Sequence, residues 1–287
     1  MKRIKILLLI GLICITTGCL KRDNLDGANI VTTSYPIEFV TNYLYKDHSN
    51  VTSIYPDGVD TTTYSLSKKQ VKDYSSKKLF IYNSLSQDKE TAITFLDENN
   101  DLLIIDAAYG MEINNDISEL WLNPSNLLMI AQNIKNGLKE YITNSYLEKE
   151  IDDKYNELKV TLSELDAEIK LTAENATRKT IITNSDALKY LETYGFKVIS
   201  LDEDNESVSD RTIRDVENMI DNGTVKHLIL FEHKDNSSAI NKVIEDTNVE
   251  TYTFRRLDSI SDSERAEDKN YIDIMKANIE ILKNELY

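Results

Sequence analysis

Cysteine is almost missing from this chain of 287 residues: there are two, Cys14 and Cys19, both near the N-terminus. The rest of the chain has no thiol for a disulfide framework, a Cys-ligated metal site or a cysteine nucleophile, so its stability has to come from core burial. Histidine is scarce as well, with only His48, His227 and His233. There is no Gly-x-Ser-x-Gly motif, no glycine-rich phosphate loop and no histidine set beside an evident base. The usual nucleophilic and phosphoryl-transfer machineries thus lack their residues, and no enzyme is expected. Glu119 and Asp258 would make a carboxylate pair, but nothing else in the chain supports acid–base chemistry. Positive charge is short too. The formal net charge of −16 argues against a nucleic-acid partner and against electrostatic adsorption to anionic lipid. Beyond the N-terminal segment no apolar run approaches the ~18 residues of a membrane span, so the mature chain is not expected to cross a bilayer.

What is present begins at the N-terminus. Lys2, Arg3 and Lys5 precede the apolar run Ile6–Ile15 and the small residues Thr16-Thr17-Gly18 ahead of Cys19. A short basic segment, an apolar stretch of about ten residues and small residues before a processing point make a secretory signal over residues 1–18. The Thr-Gly-Cys ending resembles the lipobox of bacterial lipoproteins, with Thr16 where an aliphatic residue is commoner. That resemblance implies a lipid on Cys19, which would become the first mature residue. The protein would then be anchored to the extracytoplasmic face of the cell membrane.

Residues 19–28 are polar and read as a tether. Short apolar runs then alternate with helical patterns. Strands are expected over Ile30–Ser34, Val51–Tyr55, Leu79–Tyr82 and Leu102–Asp106, and again over Thr180–Thr183, Val198–Leu201, Leu228–Phe231 and Val249–Phe254. Runs of this kind without alternation indicate parallel sheets covered on both faces. Pro36 suits the first position of a helix, Ser67 can cap one over Lys68–Ser75, and Gly195 and Gly223 close helices over Asp186–Tyr194 and Asp210–Asp221. Between the two sets, Leu147, Ile151, Tyr155, Leu158, Leu162, Leu165 and Ile169 form one apolar stripe at helical spacing. A coiled-coil oligomer would show the same stripe, but the flanking α/β patterns favour a helix packed within the chain. The fold class expected is α/β: two lobes, each a parallel sheet of about four strands with flanking helices, joined by one long rigid helix. The lobes would cover residues 29–144 and 178–287, with the linking helix over 145–177. Parallel sheets bind ligands beyond the carboxyl ends of their strands, so a cleft between the lobes is the expected site.

Several segments near those strand ends occur in a characteristic order: Val31-Thr32-Thr33-Ser34-Tyr35-Pro36, Pro56–Tyr64, Leu79–Asn83, Trp121-Leu122-Asn123-Pro124, Ile182–Tyr190, Leu257-Asp258-Ser259-Ile260 and Tyr271–Leu282. Together they resemble the substrate-binding lipoproteins of zinc and manganese ABC importers, over nearly the whole mature chain. The resemblance implies a lipid-anchored receptor that holds a divalent cation or related solute between its lobes and delivers it to an ABC permease in the membrane. It also implies a metal site at Thr62, Glu119, Ser185 and Asp258, the positions matching the family's four ligands. Thr62 and Glu119 stand where the family has histidine, Ser185 where it has His or Glu, and Asp258 is retained. By resemblance the metal would be Zn or Mn. By ligand chemistry an all-oxygen set with two carboxylates suits a hard cation such as Mn²⁺, Mg²⁺ or Ca²⁺, or no metal at all. Without imidazoles, the chain would also fit a family member that has left metal transport and serves as a surface adhesin or scaffold. His233, beside Glu232, falls at a strand end within reach of the cleft.

Overall fold

The computed structural model describes residues 25–203 and 207–287; the signal segment and Cys19 lie outside them. Folded chain already begins at Leu25, which the polar composition of its neighbours assigned to the tether. Its side chain is fully buried in the core, and the Gly27 N–H donates to the His48 carbonyl at 2.8 Å.

Strands β1 (Ala28–Thr32), β2 (Ser49–Ser53), β3 (Leu79–Tyr82) and β4 (Leu103–Asp106) form one parallel sheet in the order β2-β1-β3-β4. Strands β5 (Thr180–Thr183), β6 (Lys197–Ser200), β7 (His227–Phe231) and β8 (Glu250–Phe254) form a second parallel sheet with the equivalent order, β6-β5-β7-β8. All eight fall within two residues of the apolar runs that announce them. The inner strands β1, β3, β5 and β7 are largely buried because helices cover both faces, which is why their runs are continuous, whereas the edge strands β2 and β8 stay partly exposed.

The N-terminal lobe carries helices α1 (Tyr35–Tyr45), α2 (Lys68–Ser75), α3 (Asp88–Glu98), the short α4 (Glu119–Leu122) and α5 (Pro124–Tyr141). Pro36 sits in the first turn of α1, and Ser67 and Gln70 form a reciprocal capping box on α2. The long α6 (Ser145–Asn175) follows, and the C-terminal lobe adds α7 (Asp210–Asp221), α8 (Ser238–Thr247), α9 (Asp262–Ala266) and α10 (Tyr271–Leu286). Asp186–Tyr194, expected as an α-helix, is a 3-10 helix. Its buried residues explain this: Ala187 and Tyr190, and Leu188 and Leu191, repeat at three residues, the period of the tighter helix. Gly195 ends it at φ 92°, a conformation that needs no Cβ.

Helix α6 belongs to both lobes. Leu147, Ile151, Leu158, Leu162, Leu165 and Ile169 are buried against α1 and α5 on one side and α10 on the other. The stripe is therefore consumed within the chain. Helix α5 in turn lies tight on β4: a Cβ at Gly137 would stand 2.7 Å from Cγ1 and Cγ2 of the buried Ile105. Gly137→Ala should gain about 1 kcal/mol in helix propensity and lose about 1–3 to overpacking. We expect a net destabilisation, read as a lowered melting temperature; an unchanged or raised one would show that α5 moves freely over β4.

Candidate ligand cleft between the lobes

In each sheet the chain leaves in opposite directions on either side of one gap, between β1 and β3 and between β5 and β7. Such a switch point opens a crevice beyond the carboxyl ends of its strands. Ser34 follows β1, Asn83 follows β3, Ser185 follows β5 and His233 follows β7. All four stand around the cleft between the lobes. One of its cavities, of ≈ 280 Å³, is bounded by Ser34, Tyr55, Thr61, Asn83, Trp121 and Arg256 among others. A second, of ≈ 410 Å³, is bounded by Asp116, Ser185, His233, Asp235 and Arg256 among others. Thr62 and Arg256 line both.

Hydrogen bonds staple the lobes beside these cavities. The Tyr35 N–H donates to the Asp258 carbonyl at 3.0 Å and the Gly58 N–H to the Ile260 carbonyl at 2.7 Å. Trp121 Nε1 donates to the Arg256 carbonyl at 2.7 Å, and the Tyr271 hydroxyl donates to the Trp121 carbonyl. The only tryptophan is thus a buried joint between lobes.

Of the four expected ligands, two face one cavity. Thr62 and Ser185 both line the larger space. The Thr62 hydroxyl donates to Asp60 Oδ1 at 2.7 Å, and Ser185 Oγ accepts the Ala187 N–H at 3.2 Å as the cap of the 3-10 helix. Asp258 is buried and lines neither cavity; Thr61, on the wall of the smaller one, donates its hydroxyl to Asp258 Oδ2 at 2.7 Å. Glu119 lines neither cavity. Its Oε1 accepts the Asn114 N–H and, at 3.4 Å, the Asn115 N–H, while Oε2 accepts from Asn115 Nδ2 at 3.3 Å. Its carboxylate is spent on its own loop. Among the described residues no group of three or more His, Cys, Asp or Glu is placed to hold a metal ion. The donor chemistry is likewise poor for zinc, which favours imidazole and thiolate. The residues present do not fit a closed zinc site.

Two cations border the cleft: Lys234, which is paired with Asp202 at 2.9 Å, and Arg256, which sequence reasoning passed over and which lines both cavities. Arg256 Nε donates to Ser118 Oγ at 3.0 Å across the lobe boundary, and its backbone N–H donates to Glu232 Oε1 at 3.0 Å. Leu257, the next residue, is buried with φ 67°, a left-handed conformation uncommon for a non-glycine residue. His233 also has positive φ, 53°. Asp60 lies near Arg256; although burial works the other way, bonds from the Thr62 hydroxyl and amide, together with the Arg256 charge, hold its carboxyl below the usual range. Also lining the smaller cavity, the Tyr55 hydroxyl donates to Asp88 at 2.7 Å, and burial pushes the Asp88 carboxyl up. No motif marks Arg256 as a cleft residue, and Ser34 lies in the Val31–Pro36 segment without being singled out; the available signal is position, since each closely follows a strand.

Residues 30–285 match the ZnuA family, described as zinc-uptake complex component A, periplasmic. The high-affinity zinc uptake system protein ZnuA of Bacillus subtilis is 25% identical over 91% of this chain and 88% of its own length. The zinc-binding lipoprotein AdcA of Streptococcus pneumoniae is 24% identical over 99% of this chain, but this chain spans only 61% of AdcA. Among solved structures, the metal-dependent lipoprotein YcdH of Bacillus subtilis superposes with a TM-score of 0.73 at 23% identity, covering 90% of this chain and 99% of that one. The Zn(II)-bound ZnuA-like domain of Streptococcus pneumoniae AdcA gives a TM-score of 0.72 at 21% identity, covering 90% and 98%. At these identities the structural likeness concerns the fold: two four-stranded parallel sheets with flanking helices.

Proposed function

The chain belongs to the ZnuA family, and from that premise we propose that it is the solute-receiving subunit of an ABC importer, anchored through a lipid on Cys19 at the extracytoplasmic face and presenting its interlobe cleft to a membrane permease. Its family is one of solute-binding proteins of transporters, not of enzymes. The observation that carries the reading is the cleft itself: two switch-point crevices face each other, and one helix, α6, spans both lobes. No described helix is long and apolar enough to cross a membrane, so coupling to a permease requires a separate membrane subunit, with Cys19 supplying nearness. Zinc is the ion named for the relatives; here an ion in the larger cavity would meet carboxylate and hydroxyl oxygens, the single imidazole of His233 and two cations, Lys234 and Arg256.

The test is site-specific photo-crosslinking in intact cells from the exposed Thr63, at the mouth of the cleft. The expected adduct is an ABC permease subunit, identified by mass spectrometry, and it should weaken strongly in Cys19→Ala, which should also leave the membrane fraction. Adducts without any ABC permease, or a Cys19→Ala protein still held at the membrane, would overturn the coupling and the anchor respectively.

A further inference from the structure

We infer that the cleft cavity beside Arg256 binds a small monocarboxylate with an apolar remainder; this specifies the cargo of the receptor reading above and rests on it for its role in import. Three observations converge. First, Arg256 Nε is fixed by Ser118, while neither terminal guanidinium nitrogen has an acceptor among the described residues. A half-buried guanidinium held in one plane with two free donors matches the fork of a carboxylate. Second, Ser34 is 6% exposed, its Oγ has no hydrogen-bond partner, and it lines the same cavity. A buried hydroxyl left unpaired is destabilising, and a bound acceptor would satisfy it. Third, Leu85, Ile117 and Trp121 give that cavity an apolar wall, which a hydrocarbon group would cover.

Charge narrows the class further. Asp60 lies near Arg256, Asp88 borders the cavity, and the whole chain is acidic. A polyanion such as phosphate would be repelled, whereas a single carboxylate spends its one charge on the guanidinium. The cavity volume of ≈ 280 Å³ suits a molecule of a few carbons. A bare divalent cation in the same place would face the guanidinium directly.

The full chain, purified in detergent and stripped of metal, would be titrated calorimetrically with isovalerate, with L-leucine and with zinc chloride alone. We expect one of the two carboxylates to saturate a single site; leucine would mark an amino acid as the cargo, isovalerate a simple organic acid. Arg256→Met should weaken that binding at least ~10-fold, and Arg256→Lys, which keeps charge but not the fork, by less. Ser34→Ala should weaken it roughly 3–10-fold. Melting curves report whether each variant is folded, and if Arg256→Met is not, Ser34→Ala carries the test. The inference is overturned by no saturation with either carboxylate up to about 10 mM, well above the range of a weak specific site, or by zinc binding that Arg256→Met leaves unchanged. Uptake assays separate the two readings. Carboxylate binding with import unaffected by loss of the chain overturns the receptor reading alone. Import that depends on the chain, without carboxylate binding, overturns only the present inference.

Discussion

Arg265→Ala is expected to weaken the contact between the lobes by up to about 3 kcal/mol, the low end of what stranding a buried charge costs, since the Arg265 side chain is 44% exposed and solvent screens it. Arg265 sits on α9 in the C-terminal lobe and reaches two carboxylates of the N-terminal lobe. It donates to Glu38 Oε1 and Oε2 at 3.1 and 3.2 Å and to Asp57 Oδ1 at 2.8 Å, with a further bond to Asp57 Oδ2. Its guanidinium also lies 5.9 Å from the centre of the Tyr35 ring. Glu38 is the vulnerable partner, because its side chain is only 7% exposed. Burial already pushes its carboxyl up from 4.5, and Arg265 is what pulls it back down. Without Arg265 that opposition is gone and the folded-state pKa rises further. A carboxyl raised in the folded state contributes stability that is present below its unfolded value and lost as pH rises through the folded one. The deficit of the variant should therefore be largest near neutral pH and shrink on acidification towards 4.5. Hydrogen exchange gives the local readout. The Tyr35 and Gly58 amides are held by carbonyls of the other lobe, so their exchange should speed up about 100-fold if the lobes part. Equal protection in the two proteins would show that the guanidinium does not hold the lobes together.

Much of this scaffold can be read from the chain before any coordinates, for a simple reason. Strands buried on both faces must be apolar throughout, so β1, β3, β5 and β7 stand out as uninterrupted runs. A helix that serves two lobes needs one long apolar stripe, and α6 displays it. The site is less legible because it depends on which way single polar side chains turn. Glu119 is a plausible ligand by position, but the amides of Asn114 and Asn115 lie closer and claim its carboxylate. Arg256 enters the cleft beside a left-handed Leu257, a conformation that no pattern of leucines announces. Ser34 reads as the end of the first strand run, and nothing in the pattern shows that its hydroxyl makes neither a cap bond nor any other. Leu25 was hidden for the opposite reason: one apolar residue among polar ones carries no periodic signal, although it is fully buried. Patterning reports which face is apolar; it does not report which donor an isolated carboxylate or hydroxyl will find.

The second large effect is expected at the far end of the chain, where Glu285→Ala should cost about 3 kcal/mol, the usual scale for stranding several buried donors at once. Glu285 is wholly buried in the last turn of α10. An anion there opposes the helix dipole, so something has to offset it. Its Oε1 accepts the Lys226 N–H at 2.9 Å, its Oε2 accepts the His227 N–H at 2.8 Å, and His227 Nδ1 lies 2.9 Å from the same oxygen. The carboxylate thereby fastens α10 to the start of β7. The end of the helix is closed from the other side: Arg178 donates from Nε and Nη2 to the Glu285 carbonyl at 2.9 and 2.6 Å, and the Thr177 and Arg178 amides donate to the Leu286 carbonyl, each at 3.0 Å. These bonds satisfy carbonyls that a helix otherwise leaves open. Alanine would leave the Lys226 and His227 amides without the buried carboxylate oxygens that accept from them. Glutamine keeps one acceptor oxygen but turns an NH₂ group towards donors, so Glu285→Gln should lose roughly half as much. Urea unfolding followed by a probe in the C-terminal lobe should show the midpoint falling in the order wild type, Gln, Ala, with an unchanged slope. A Gln variant as damaged as the Ala variant would assign the effect to the negative charge and not to its accepting geometry, and a wild-type midpoint in Glu285→Ala would remove Glu285 from the account of how α10 is held.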